Sequence, residues 1–171
     1  MRVAVLTVSD RSFAGERPDS SGPQLAERAQ ALGAEIVRQT IVPDEPERLE
    51  EILISWADSG EVDLILTTGG TGFAPRDRTP EATLRVIDRE APGLAEAMRA
   101  VGLRSTAHAM LSRGVTGLRG SCLIVNLPGS PQAAMESLAA IEAVLPHAIA
   151  LLQDSSAAET GHHPRSRPKR A

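Results

Sequence analysis

The sequence predicts an α/β fold: a three-layer sandwich, with a mostly parallel sheet, helices on both faces and one antiparallel strand. Two patterns carry that expectation. Short apolar runs rich in β-branched residues alternate with segments of helical spacing almost throughout the chain. Aromatic residues are scarce, with two Phe, one Trp and no Tyr among 171 residues. The core must therefore come from Leu, Ile, Val, Ala and Met, which suits strands buried on both faces.

The elements follow in order. Val3 to Val8 reads as a buried first strand, and the polar residues from Ser9 to Asp19 as a loop. Ser20 or Ser21 caps a helix that takes Pro23 in its first turn and ends at Gly33. Glu35 to Val42 is the second strand, and Pro43-Asp44-Glu45-Pro46 a short connection. Leu49, Ile52, Leu53 and Trp56 mark one face of the next helix, which stops near Gly60. Val62 to Thr68 is the third strand and runs into Gly69-Gly70-Thr71-Gly72. Thr79 caps a helix with Pro80 as its first residue, continuing to about Glu90. Further helices cover Leu94 to Val101 and Ala107 to Ser112. Gly114 to Gly120 reads as a weak strand and turn, paired antiparallel with a strong strand over Cys122 to Asn126. Gln132 to Leu152 is a terminal helix that Pro146 kinks or breaks. Residues 1–154 form one domain, and the periodicity fades from Ser155, so 155–171 reads as a disordered basic tail.

Composition excludes several classes. The single cysteine, Cys122, rules out an intrachain disulfide and agrees with a cytoplasmic setting. No apolar run approaches the ~20 residues of a membrane span, and the N-terminus lacks a secretory pattern. The net charge is −4, and without the basic residues after Gly161 it is −8, with 14 basic against 22 acidic residues. So acidic a body argues against a nucleic-acid partner. An anionic ligand must be held by loops and helix ends instead.

Ligands of open α/β sheets bind beyond the C-terminal ends of the strands. Each of the four main strands is followed there by a polar, punctuated loop. The Thr68-Gly69-Gly70-Thr71-Gly72 loop can present bare amides and two hydroxyls to an anion, or can be a tight turn alone. It lacks the lysine of a Walker loop and the glycine spacing of a dinucleotide fold. The helix starts at Thr79-Pro80-Glu81 and Ser130-Pro131 carry free amides that suit phosphate, or are ordinary caps. Asp44 and Asp77 suit Mg²⁺ shared with substrate phosphates; the plain alternatives are an Asx turn and a solvated loop charge. Asp10, beside Ser9, either contacts a nucleotide or caps its loop. Arg113, after Ser112, either contacts a phosphate or lies at the surface. His108 reads as a surface or packing residue, Cys122 and Trp56 as core, and His162 and His163 as no metal site. No Ser-His-Asp or Cys-His set shares suitable loops.

At these residues the sequence resembles the MogA/MoaB family of molybdenum cofactor biosynthesis proteins. The matching segments are Val8-Ser9-Asp10-Arg11, Pro43-Asp44-Glu45, Thr67-Thr68-Gly69-Gly70-Thr71-Gly72, Arg76-Asp77-Arg78-Thr79-Pro80-Glu81-Ala82, Leu111-Ser112-Arg113 and Asn126-Leu127-Pro128-Gly129-Ser130-Pro131. They stand in the family's order across residues 2 to 153. The chain lacks the extra segment that MogA-type members carry before the final helix, and so is closer to MoaB-type members.

The resemblance implies a homotrimer and a molybdopterin adenylyltransferase, a nucleotidyltransferase that uses Mg²⁺ and ATP as co-substrate and releases pyrophosphate. It implies that Asp44 and Asp77 are catalytic and hold the metal. It implies that Thr68 to Gly72 hold the pterin phosphate region, and that Ser9, Asp10, Gly129 and Ser130 line the shared cleft. Thr79, Glu81, Ser112, Arg113, Asn126 and Pro128 lie in matched motifs and are expected to bind substrate. The product then passes to a molybdate-inserting protein. The competing reading is a noncatalytic molybdopterin-binding or scaffold paralogue of the same family.

Overall fold

A computed structural model describes residues 1–153. The expected tail, with His162 and His163, lies outside the described residues. The strands are β1 (Arg2–Val8), β2 (Glu35–Val42), β3 (Leu64–Thr68), β4 (Arg89–Glu90), β5 (Thr116–Arg119) and β6 (Cys122–Leu127). They form one sheet in the order β2-β1-β3-β6-β5-β4. The first four in that order are parallel; β5 runs antiparallel to β6 and to β4. The helices are α1 (Asp10–Phe13), α2 (Ser21–Ala31), α3 (Pro46–Ala57), α4 (Thr79–Val86), α5 (Pro92–Ser105), α6 (Pro131–Ile141) and α7 (Leu145–Leu152), with a 3₁₀ turn at Ala107–Leu111.

Successive side chains of a strand point to opposite faces, so each central strand feeds two cores. Val3, Val5, Leu64, Leu66, Leu123 and Val125 pack against α2, α5, α6 and α7. Ala4, Leu6, Ile65 and Ile124 pack on the other face against Leu49, Leu53 and Trp56 of α3 and Ala82 and Val86 of α4. These are the three expected layers. Leu6, Leu53, Ile65 and Ile124 are fully enclosed. Each such side chain contributes roughly 1.5–3 kcal/mol over its exposed state.

Several local features differ from the sequence reading. The loop after β1 contains α1, a single turn capped by Ser9, whose Oγ accepts from the Ser12 amide. Neither Ser20 nor Ser21 caps α2 with its side chain. Asp19 does so instead, its Oδ1 accepting from the amides of Ser21 and Gly22 at 3.1 Å each. Arg78 is the cap residue of α4, and Thr79 lies inside its first turn. That helix stops at Val86 rather than near Glu90, because Ile87 turns extended and the Asp88 amide donates to Leu118 O on β5. α5 is longer than expected at both ends.

The terminal helix is broken as Pro146 predicts. α6 and α7 meet at a 65° bend, with Pro146 in the first turn of α7, where its missing N–H is harmless. Both pack on the core through Leu138, Ile141, Leu145 and Ile149. Among the described residues no single helix is long and apolar enough to cross a membrane.

Candidate functional site

Parallel pairing puts the ends of β2, β1, β3 and β6 at one edge of the sheet. The four loops expected there do converge. The Ser9 amide donates to Val42 O at 2.9 Å, and the Gly69 amide to Leu127 O at 3.2 Å. Backbone meets backbone so closely that side chains are excluded. Gly69 has φ +101°, and a Cβ on it would lie 2.2 Å from Val8 O. A Cβ on Gly129 would lie 3.2 Å from the Gly69 Cα. Thr68 closes the junction by donating from Oγ1 to Pro128 O at 2.7 Å.

The carboxylates stand around the glycine loop. A Cβ on Gly70 would lie 3.3 Å from Asp44 Oδ1, and one on Gly72 would lie 2.8 Å from Asp77 Oδ2. Both acids therefore flank the same stretch of bare backbone. Asp44 is fixed by exchange with Asp10: the Asp10 amide donates to Asp44 Oδ2 at 2.8 Å, and the Asp44 amide to Asp10 Oδ1 at 2.9 Å. Arg76 grips Asp10, with Nη2 2.9 Å from Oδ1. Asp77 is steadied by the Ala74 amide at 3.0 Å.

The electrostatics differ between these acids. Arg76 and then the Asp44 amide hold the Asp10 carboxyl below its ordinary range. Burial pushes the Asp44 carboxyl above its range; the Asp10 amide opposes this, and the negative charges of Asp10 and Asp77 reinforce it. Asp44 and Asp77 thus repel each other across the loop, which a bound cation would relieve. Among the described residues no three His, Cys, Asp or Glu side chains gather as a metal cage. Two carboxylates with open positions beside them suit a hard cation that keeps phosphate oxygens and water as its other ligands.

Two cavities open at this rim. One, of about 610 Å³, is polar and is lined by Ser9, Ser12, Arg17, Asp19 and Ser21. The other, of about 480 Å³, is walled by Met98, Ala109, Leu111 and Ala133, with Arg99 and Glu136 among them. Gly70, Asp77, Gly129 and Ser130 line both. The arrangement is one site with two lobes that meet at the glycine loop.

The family model described as "Probable molybdopterin binding domain" matches residues 4–147, most of the chain. The chain belongs to this family of molybdopterin-binding domains. It is 44% identical over 151 residues to the molybdenum cofactor synthesis protein cinnamon of Drosophila melanogaster, covering 88% of this chain and 25% of that protein. The chain thus spans only about a quarter of that relative's length. It is 44% identical over 144 residues to the molybdopterin adenylyltransferase of Haemophilus influenzae, covering 83% of this chain and 73% of the relative. The crystal structure of the molybdopterin biosynthesis enzyme MoaB from Thermus thermophilus superposes with a TM-score of 0.85 at 55% identity, over 90% of this chain and 97% of that one.

Within this molybdopterin-binding domain the expected site residues divide into three groups. Ser9, Asp44, Thr68, Gly69, Gly70, Asp77, Gly129 and Ser130 line the polar lobe. Thr71, Gly72, Ser112, Asn126 and Pro128 line the apolar one. Asp10, Thr79, Glu81 and Arg113 are outside both linings and brace the loops. Arg113 donates from Nε to Gly72 O at 2.8 Å, from Nη2 to Asp77 O and from Nη1 to Glu81 Oε1. Its own amide donates to Thr71 O at 2.9 Å. One arginine thereby staples the glycine loop to α4. Asn126 also works inward: Nδ2 donates to Thr67 and Thr83 hydroxyls, and Oδ1 accepts from the Val115 amide.

Other lining residues escape a motif search. Asp19 reaches the site because its Oδ2 accepts from Thr7 Oγ1 at 2.7 Å, a contact that leaves no room for a Cβ on Gly22. Ala133, Glu136 and Ser137 share one face of α6 at i, i+3 and i+4 spacing, a signal present in the sequence but indistinguishable there from packing. His108 lines the apolar lobe with Nδ1 3.2 Å from Thr106 Oγ1.

Proposed function

We propose that this chain is a molybdopterin adenylyltransferase that joins AMP from ATP to the molybdopterin phosphate and releases pyrophosphate. The observation that carries the reading is the pair of lobes meeting at Gly70, Asp77, Gly129 and Ser130. A transfer between two phosphate-bearing substrates needs two seats and one shared point. The name of the Haemophilus influenzae relative supports the same chemistry.

In the reaction an oxygen of the molybdopterin phosphate attacks the α-phosphorus of ATP. The new P–O bond forms as the bond to the bridging oxygen of the β-phosphate breaks, and pyrophosphate leaves with that electron pair. Little covalent work falls to the protein, so positioning and charge stabilisation dominate. Gly69 and Gly70 let the backbone approach the reacting phosphates without side-chain obstruction. Ser130 opens α6 without a side-chain cap bond, leaving first-turn amides facing the shared rim. Asp44 and Asp77 would hold Mg²⁺, which when bound offsets phosphate charge. The Arg113 staple and the Asp10–Arg76 clamp keep these groups in register.

The same reading takes the protein as a cytoplasmic homotrimer that hands its product to a molybdate-inserting protein. The test is pyrophosphate release from wild-type protein mixed with molybdopterin, ATP and Mg²⁺. Turnover is expected, and Asp77→Ala should lower kcat roughly 100-fold or more with molybdopterin binding intact. Turnover unchanged after loss of both Asp44 and Asp77 contradicts the assignment. Binding without any turnover marks a noncatalytic member.

A further inference from the structure

Thr79, in the first turn of α4, is buried at 1% exposure, and its Oγ1 has no hydrogen-bond partner among the described residues. Its amide is used, donating to Gly70 O at 3.1 Å. A buried hydroxyl left unpaired is unfavourable, so an orphan of this kind calls for a reason. The surroundings supply one. Gly70 has φ +62°, and a Cβ on it would collide with Thr79 Oγ1 and lie 3.3 Å from Asp44 Oδ1. The hydroxyl and the carboxylate oxygen thus face the same bare Cα. Among the described residues the Asp44 carboxylate takes one hydrogen bond, from the Asp10 amide to Oδ2, which leaves Oδ1 without a donor. The small void that Val8, Asp44, Leu49 and Thr79 line is too tight to admit a water molecule. An unused donor and an unused acceptor therefore stand across a gap that only glycine leaves open.

Carboxylates that bind a cation are themselves held by hydrogen bonds, which aim their remaining lone pairs at the ion. We propose that Thr79 is the positioning residue for Asp44: its hydroxyl donates to Oδ1 once the carboxylate turns over Gly70 to take a cation. No side chain intrudes where that bond forms, and the few rotamers of a β-branched side chain keep the hydroxyl aimed. The unliganded protein then carries an unpaired hydroxyl that the loaded site satisfies. This deepens the adenylyltransferase reading, in which Asp44 holds the cation. It also gives Gly70 a reason to be glycine beyond making room for phosphate.

The experiment compares the full chain with Thr79→Val, which removes the hydroxyl and keeps the shape, and with Thr79→Ser, which keeps the hydroxyl. Two measurements are made without nucleotide or pterin. One is the thermal melt of the metal-free protein. The other is Mn²⁺ binding, read by loss of the free-ion EPR signal, with Asp44→Asn to show which binding depends on Asp44. Thr79→Val should melt at or above the wild-type temperature, because it relieves a buried orphan, yet bind Mn²⁺ roughly tenfold or more weakly. Thr79→Ser should keep most of the affinity. A merely structural hydroxyl gives the opposite pattern, so a Thr79→Val protein that melts below the wild type or fails to fold overturns the inference. Mn²⁺ affinity unchanged in Thr79→Val overturns it too, as does equal loss in both variants or wild-type binding that is absent or independent of Asp44. If Mn²⁺ binding depends on Thr79 while molybdopterin, ATP and Mg²⁺ yield no pyrophosphate, the adenylyltransferase reading fails and this inference stands. Pyrophosphate release together with Mn²⁺ affinity unchanged in Thr79→Val leaves that reading standing and removes this inference.

Discussion

At Gly69 the absence of one Cβ decides whether three strand ends can meet. The sequence offers Gly69-Gly70-Thr71-Gly72 as either a tight turn or a ligand loop. In the structure it is a tight turn that itself forms the rim shared by both lobes. Gly69→Ala adds strain at φ +101° and a clash with Val8 O. It should cost about 2–4 kcal/mol in denaturant unfolding and abolish turnover. Asp19 was not legible in the same way. Its role depends on Thr7 and Gly22 arriving on either side, and no local pattern announces a carboxylate that caps with one oxygen and takes a hydroxyl with the other. Cys122 was legible as core. Burial and the nearby Asp63 charge push its thiol up to about 12. The native protein should therefore resist alkylation at pH 8, and a thiol titration before and after unfolding checks this.

Between elements, the decisive link is the one from the start of β5 to the glycine loop and α4. Arg113 makes that link with three guanidinium nitrogens and its amide. Sequence spacing places Arg113 near the site but does not say whether it faces substrate or scaffold, because that depends on carbonyls contributed by distant turns. Arg113→Ala should lower kcat/KM roughly tenfold or more by loosening the loop, and Arg113→Lys should recover little, since an ammonium lacks the planar fork. The four main strands and the break at Pro146 are legible from apolar runs and from proline chemistry. β4 is not, because two residues carry no period and pair only through β5. The apolar lobe is likewise hidden. Its walls come from α5, the 3₁₀ turn and α6, whose lobe-facing residues look like ordinary helix faces in sequence.

The whole molecule depends on the central strands staying in register, and Arg2 and Asp63 pin them at the edge away from the site. The Arg2 amide donates to Asp63 Oδ2 at 2.7 Å and its Nη2 to Oδ1 at 2.6 Å. Burial raises the Asp63 carboxyl, but the hydrogen bonds from Arg2 outweigh it, so the net position is below the ordinary carboxylate range. A depressed carboxyl stabilises the fold above its unfolded value, and that contribution is lost as pH falls through the folded one. Acid unfolding should accordingly steepen below about pH 4, and Asp63→Asn should flatten that limb while lowering stability at pH 7 by about 1–3 kcal/mol. The proposed function makes a further demand on the whole molecule, that two substrates approach one rim from opposite lobes. A crystal structure of the protein bound to adenylylated molybdopterin tests this most directly. The account predicts the pterin and adenine rings in separate lobes, with the phosphates between Gly70 and Gly129. Both rings in one lobe, or phosphates remote from Asp44 and Asp77, would contradict it.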